Sequence, residues 1–310
     1  MWLSETVEVG LAPAALAVRR RAGRVVEYQP PTPTTRGDWH APLSALGSWL
    51  RSPEATRRRG RLALSVALSL ECVHFFRLPW SETLRDFGKA PILAAMQFSA
   101  QFTTTGGTAH GVGGIAPEAR DYWVEDAPPG APRLACAVDR ALLTALDELV
   151  RRTGVRIDSV APWPVIALNR HARQLPADGW FAVIERTQVA LVVLAGGAAR
   201  EIAVAPWSND ARSTGSGWHA ALARLECRVR LRGGRAEGLP LALLDASNLN
   251  VVCGTGDLAG LGLQRFTAMQ LGNPVQPTDV EQPSSVWTLA GSHDPLLATP
   301  AMTTVSESRQ

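Results

Sequence analysis

The stretch Gly179–Pro206, GWFAVIERTQVALVVLAGGAAREIAVAP, limits what this chain can fold into more than any other. Apolar runs alternate with short turn signals, which predicts three strands: Phe181–Glu185, Val189–Ala195 and Arg200–Ala205. Arg186-Thr187-Gln188 forms the first turn. Gly196-Gly197 forms the second and supplies the positive φ that a tight hairpin needs. The middle strand is almost wholly apolar, so both of its faces must be covered. It is expected at the centre of a sheet packed between helices.

The start of the chain repeats the pattern. Thr6–Tyr28, TVEVGLAPAALAVRRRAGRVVEY, reads as strand, short turn, strand, an Ala22-Gly23 turn and a third strand. Two meanders, each followed by helix-forming sequence, predict a duplicated α/β unit. A chain of 310 residues, 46% of them hydrophobic, can build two lobes with a large core. The net charge of +3 is carried almost entirely by arginine, with Lys89 the sole lysine. Arg19-Arg20-Arg21 and Arg57-Arg58-Arg59 read as a solvated turn and loop, or as contacts to anionic lipid or nucleic acid. No aromatic interleaving or nucleic-acid motif supports the second reading, so no nucleic-acid partner is expected.

Cys72, Cys136, Cys227 and Cys253 are far apart and form no C-x-x-C pair, which points to a reducing compartment. MWLSETVEVG lacks the basic and apolar regions of a signal peptide. The apolar runs Leu62–Leu70 and Val189–Ala199 are too short to span a bilayer. A cytoplasmic protein is expected, with any membrane attachment made through a partner.

Between the meanders, Pro42–Leu50 predicts a short helix, and Arg61–Leu70 and Cys72–Leu78 predict strands. Ser81–Phe102 predicts a helix capped by Ser81 and broken near Lys89-Ala90 by Pro91. Thr103–Gly114 is glycine-rich but lacks the G-x-x-x-x-G-K-[ST] spacing of a phosphate loop, and reads as a flexible loop. Asp121–Asp126 and Arg133–Val138 predict strands around the turn Pro128-Pro129-Gly130. Asp139 caps a predicted helix, Arg140–Thr153, that Gly154 stops. Val155–Val160 predicts a strand, followed by a short helix through His171. After the central meander, Trp218–Val229 predicts a helix, Leu239–Leu244 and Leu249–Cys253 strands, and Asp257–Leu271 a helix. The six histidines show no metal-ligand spacing, and no G-x-S-x-G element is present. No metal site and no catalytic residues are expected.

Four stretches resemble the type IV pilus assembly protein PilM and the cytoplasmic domain of the type II secretion protein GspL. Thr6–Arg19 is similar to the opening strand-turn-strand of that family. Leu70–Gly106 is similar to the start of its small inserted subdomain, and Leu134–Leu168 to the return into the second lobe. Asn248–Pro277, NLNVVCGTGDLAGLGLQRFTAMQLGNPVQP, is similar to its late glycine turn, helix and Leu-Gly-x-Pro-Val exit. The resemblance implies a duplicated actin-like, ribonuclease H-like two-lobe α/β fold with an inserted α+β subdomain. It divides the chain into the N-terminal part of the first lobe (1–78), the inserted subdomain (79–154), the second lobe (155–280) and a C-terminal segment (281–310) whose last residues are expected to be disordered.

In the resembled fold the first turn of each meander holds phosphate through an acid, a glycine and hydroxyls. Here Glu8, Gly10, Leu11, Ala12 and Pro13 stand at the first turn, without hydroxyls. Val183, Ile184, Glu185, Arg186 and Thr187 stand at the second, with Val183 in place of the metal-positioning carboxylate and Glu185 in place of glycine. A carboxylate there repels a triphosphate. The matching vestige of a nucleotide site is Gly10, Gly254, Thr255 and Gly256. No cofactor is expected, with ATP and magnesium the alternative.

The resemblance implies a non-catalytic platform scaffold of a type IV pilus or type II secretion system. Its partners would be the N-terminal peptide of a PilN-like bitopic inner-membrane protein and the assembly ATPase, with a homodimer left open. The peptide groove would draw on Leu84, Phe87, Met96 and Phe98, each of which also suits a plain core position. Two rival readings remain: an actin-like protein that holds ATP in an altered way, and a sugar-kinase-type enzyme, which would need a catalytic aspartate near the second turn.

Overall fold

A computed structural model describes residues 5–13, 15–20, 25–28, 38–56, 62–102, 117–207, 217–231, 239–245 and 268–270. The first meander is β1 (Glu5–Ala12), β2 (Ala15–Arg20) and β3 (Val25–Tyr28). It leads to helix α1 (His40–Leu50) and the single turn α2 (Pro53–Thr56). Strand β4 (Leu62–Leu68) follows and lies parallel to β1, and β8 (Arg156–Pro162) lies parallel to β4. The sheet order is β3-β2-β1-β4-β8, with β2 antiparallel to its neighbours.

The second meander repeats this plan. Strands β9 (Gly179–Ile184), β10 (Gln188–Ala195), β11 (Ala198–Pro206), β12 (Leu241–Asp245) and β13 (Ala268–Gln270) are ordered β11-β10-β9-β12-β13. Again the second strand is antiparallel and the fourth runs parallel to the first. Two copies of one five-strand order, joined by the crossing helix α5 (Trp163–His171), make the duplicated two-lobe actin-like architecture.

Two details of the second sheet depart from expectation. The centre of the second sheet is β9, all six of whose residues are buried, and not the more apolar-looking β10. The first residues of that strand are glycine and tryptophan, so composition alone ranks it below its neighbour. The predicted helix Asp257–Leu271 carries strand β13 over Ala268–Gln270, where pairing with β12 decides the local structure; the rest of that helix and the strand Leu249–Cys253 lie outside the described residues.

A third sheet, β5-β7-β6, is formed by β5 (Val73–Leu78), β6 (Arg120–Val124) and β7 (Arg133–Asp139). Helix α3 covers it, but begins only at Ala90 and runs to Phe102. Ser81 makes no side-chain cap; Glu82–Arg85 and Phe87–Lys89 form 3-10 turns instead. Proline is tolerated only in the first turn of a helix, so Pro91 fixes the start of α3. Helix α4 (Arg140–Thr153) has the expected ends: Asp139 accepts from the Ala141 amide at 2.8 Å, and Gly154 takes the left-handed conformation at φ 66°.

Four apolar clusters hold these layers together. Val7, Val9 and Leu11 of β1 and Leu64, Val66 and Leu68 of β4 pack on α1 and α4. Trp180, Ala182 and Ile184 pack on Trp218, Leu222 and Leu225 of helix α6 (Gly217–Leu231). The opposite face of the second sheet, Phe181, Val183, Ala190 and Val192, packs on Ala167 and Leu168 of α5 and on Leu70 and Leu134. One face of this sheet is therefore covered by a helix and the other by α5 together with residues from outside the second lobe. The inserted sheet and α3 share Phe76, Leu78, Leu84, Ala94 and Phe98.

Candidate functional site

The strand ends at both meander turns reach the same short segment after β4, Ser69–Glu71: Leu11 from the first and Glu185 and Thr187 from the second. The first turn is tight, with Ala12 paired to Ala15. Gly10 lies within β1, and a Cβ there would sit 3.7 Å from the Ala17 Cβ, an ordinary contact. Glu8, the acid of this turn, is held by two guanidinium groups. The Arg19 Nε donates to it at 2.8 Å, and Arg170 of α5 donates to its other oxygen. Both oxygens of the Glu8 carboxylate are engaged by guanidinium groups, which compete with a metal ion for them.

The second turn closes with the Glu185 amide donating to the Gln188 carbonyl at 2.8 Å. Its side chain is buried and reaches across to the end of β4. There Ser69 Oγ donates to it at 2.5 Å and the Leu70 amide at 3.0 Å. Ser69 caps the 3-10 turn Leu70–Cys72 and is itself fixed by donating its amide to the Leu11 carbonyl at 2.9 Å. Thr187 Oγ1 donates to the Glu71 carboxylate. Trp207 braces the turn from behind, its indole N–H donating to the Glu185 carbonyl at 2.9 Å.

Burial pushes the Glu185 carboxyl up to about 7, against the pull of the Ser69 and Leu70 donors, and Glu71 adds to the rise. Val183, at the position expected for a metal-positioning carboxylate, is buried among Phe181, Ala190 and Val192. The acidic side chains of both turns are thus engaged by hydrogen bonds and ion pairs made within the chain. Gly254, Thr255 and Gly256 lie outside the described residues.

The groove residues are placed unevenly. Leu84 and Phe98 are buried in the core of the inserted sheet. Met96 is 65% exposed and shares the open face of α3 with Ile92 at 61%. Phe87 lies in a 3-10 turn, and its side chain lies outside the described residues. His74 packs near the Phe98 and Phe102 rings, at 6.1 Å from each. Among the described residues no three His, Cys, Asp or Glu side chains are grouped to hold a metal ion, and no helix is long and apolar enough to cross a membrane.

Ser69, Leu70, Glu71 and Arg170 are the participants that sequence reading missed. The sequence signal for the first three is a serine at the end of an apolar run, a residue type that caps a helical turn, with an acid in that turn. Reading Arg61–Leu70 as one strand hides it.

Neither a family model nor a curated protein matches the chain. Solved structures do. The chain is similar to one in the PilM-PilN type IV pilus biogenesis complex, with a TM-score of 0.56 and 16% identity over 86% of this chain and 88% of that one. It is also similar to the cytoplasmic domain of EpsL, an inner membrane component of the type II secretion system of Vibrio cholerae, with a TM-score of 0.47 and 14% identity over 79% and 83%. A Bacteroides thetaiotaomicron protein with an actin-like ATPase fold gives a TM-score of 0.49 and 11% identity over 86% and 91%. The match to the pilus complex is one of fold, and it agrees with the two-lobe topology described above.

Proposed function

We propose that this chain is a non-catalytic scaffold of an inner-membrane assembly platform, of the type IV pilus or type II secretion kind. The observation that carries the reading is the state of the two turns. Both Glu8 oxygens are engaged by Arg19 and Arg170, and Glu185 accepts from the Leu70 amide. A bound triphosphate would meet a buried carboxylate at close range instead of free amides. The fold shared with the pilus biogenesis complex supports the platform assignment.

In this reading the chain is cytoplasmic and sits at the membrane through a bitopic partner of the PilN kind. The peptide of that partner docks beside the inserted subdomain. Met96 meets it directly, while Leu84 and Phe98 support α3 from beneath. The same body links the partner to the assembly ATPase. The alternative, an actin-like protein that holds ATP in an altered way, rests on Gly254, Thr255 and Gly256.

The test pairs two measurements. Labelled N-terminal peptides of candidate membrane subunits are titrated against the chain and followed by fluorescence anisotropy. Thermal midpoints are read with and without millimolar Mg-ATP. A saturable peptide signal is expected, with Met96→Ser weakening it roughly tenfold at an unchanged midpoint, the loss of about 1.4 kcal/mol of contact. Mg-ATP should leave the midpoint in place. A ligand at about a hundred times its dissociation constant would add about 2.7 kcal/mol, so a clear rise without peptide binding refutes the scaffold and favours the alternative.

A further inference from the structure

A two-lobed molecule hinges when few contacts bridge its cleft. Here the bridges are numerous and of two kinds. The polar ones are Glu185 to Ser69 Oγ and the Leu70 amide, Thr187 to Glu71, and Arg170 of α5 to Glu8. The apolar ones form a continuous seam. Leu70 and Leu134 are buried within the second lobe's own cluster, among Val192, Leu194 and Ile202, with Phe75 packed against it. Strand β11 of the second lobe lies directly against β5 and β7 of the inserted sheet. The 3-10 turn Leu70–Cys72 is the hub: its first residue gives its side chain to the seam and its amide to Glu185.

We propose that the chain locks its own cleft: the Ser69–Glu71 turn, clasped by Glu185 and Thr187 and keyed by Leu70, makes the two lobes one rigid body. A buried carboxylate with two donors cannot leave without exposing those donors or itself losing both hydrogen bonds, and the seam cannot part without exposing leucine to water. The lock is a property of the chain alone, independent of which partner the platform reading assigns. It removes the opening and closing that a cleft ligand would drive.

The inter-lobe distance tests it. Ser48 is exposed on α1 and Cys227 is exposed on α6, while Cys72 and Cys136 are buried. Spin labels at Ser48→Cys and Cys227, in a Cys253→Ser background of the full chain, report the distance by pulsed electron resonance. One narrow distribution is expected, unmoved by Mg-ATP. Glu185→Ala with Leu70→Ala should broaden it and add a longer-distance population, at pH 8 where the carboxylate of the parent is ionised. Glu185→Gln, which keeps an acceptor for the Leu70 amide, should stay narrow. If the double variant does not fold, Thr187→Ala with Glu185→Ala replaces it, with the same broadening expected. A broad or two-population parent, or one that shifts with Mg-ATP, overturns the lock. A folded variant as narrow as the parent overturns its assignment to these residues.

Discussion

Glu185→Gln tests the electrostatics of the inter-lobe contact most directly. The carboxyl is buried, and burial lifts it from 4.5 to about 7 in the folded chain. A carboxyl that binds its proton more tightly when folded makes the native state hold more protons than the unfolded one between those two values. Stability then falls as pH rises through that window and levels off above about 7. At about 1.4 kcal/mol per pH unit, the gap corresponds to about 3 kcal/mol of stability present near pH 4.5 and gone at pH 8. Glutamine has the shape of the protonated carboxyl and does not titrate. Other carboxylates contribute their own slopes, so the informative quantity is the difference between parent and variant. Urea midpoints followed by tryptophan fluorescence are suited to this, because the Trp207 indole is bonded to the Glu185 carbonyl. The two proteins should be close at pH 5, and the parent should fall behind by up to about 3 kcal/mol at pH 8. A flat difference, or a parent that gains on the variant as pH rises, refutes the reasoning.

Two further outcomes check the frame around the site. Gly179→Ala at the start of β9 would place its Cβ 2.7 Å from the Pro240 carbonyl oxygen and 2.7 Å from Pro176 Cγ, so β9 must shift against β12. A loss of about 1–3 kcal/mol by urea denaturation is expected. Asp139→Ala removes the acceptor for the Ala141 amide and should lower stability by about 1 kcal/mol, read as a drop in thermal midpoint with the helical circular dichroism retained.

How far the chain could be read in advance depends on how local each cause is. The Gly196-Gly197 turn, with φ values of 61° and 75°, follows from two adjacent residues. The cap at Asp139 and the stop at Gly154 follow from side-chain chemistry within one turn of helix. The break at Pro91 follows from a missing amide. The duplication is legible because each meander carries its own turns. By contrast, Ser81 reads as a cap in the sequence but makes no side-chain cap in the structure, where the chain forms two 3-10 turns before α3 begins.

The sequence by itself determined the two meanders, their turns, the ends of α4 and the departures of Leu11, Ala12, Pro13, Val183 and Glu185 from the phosphate-binding pattern of the resembled fold. All of these are set by neighbours along the chain, where a few residues compete only with their own alternatives. Tertiary structure decided the rest. It made β9 the central strand, buried Leu84 and Phe98 while leaving Met96 in solvent, and brought Glu185 to Leu70 across 115 positions and Arg170 to Glu8 across 162. Those outcomes depend on which surfaces exclude water together, and a carboxylate takes its partner, its burial and its proton affinity from whatever the fold sets beside it.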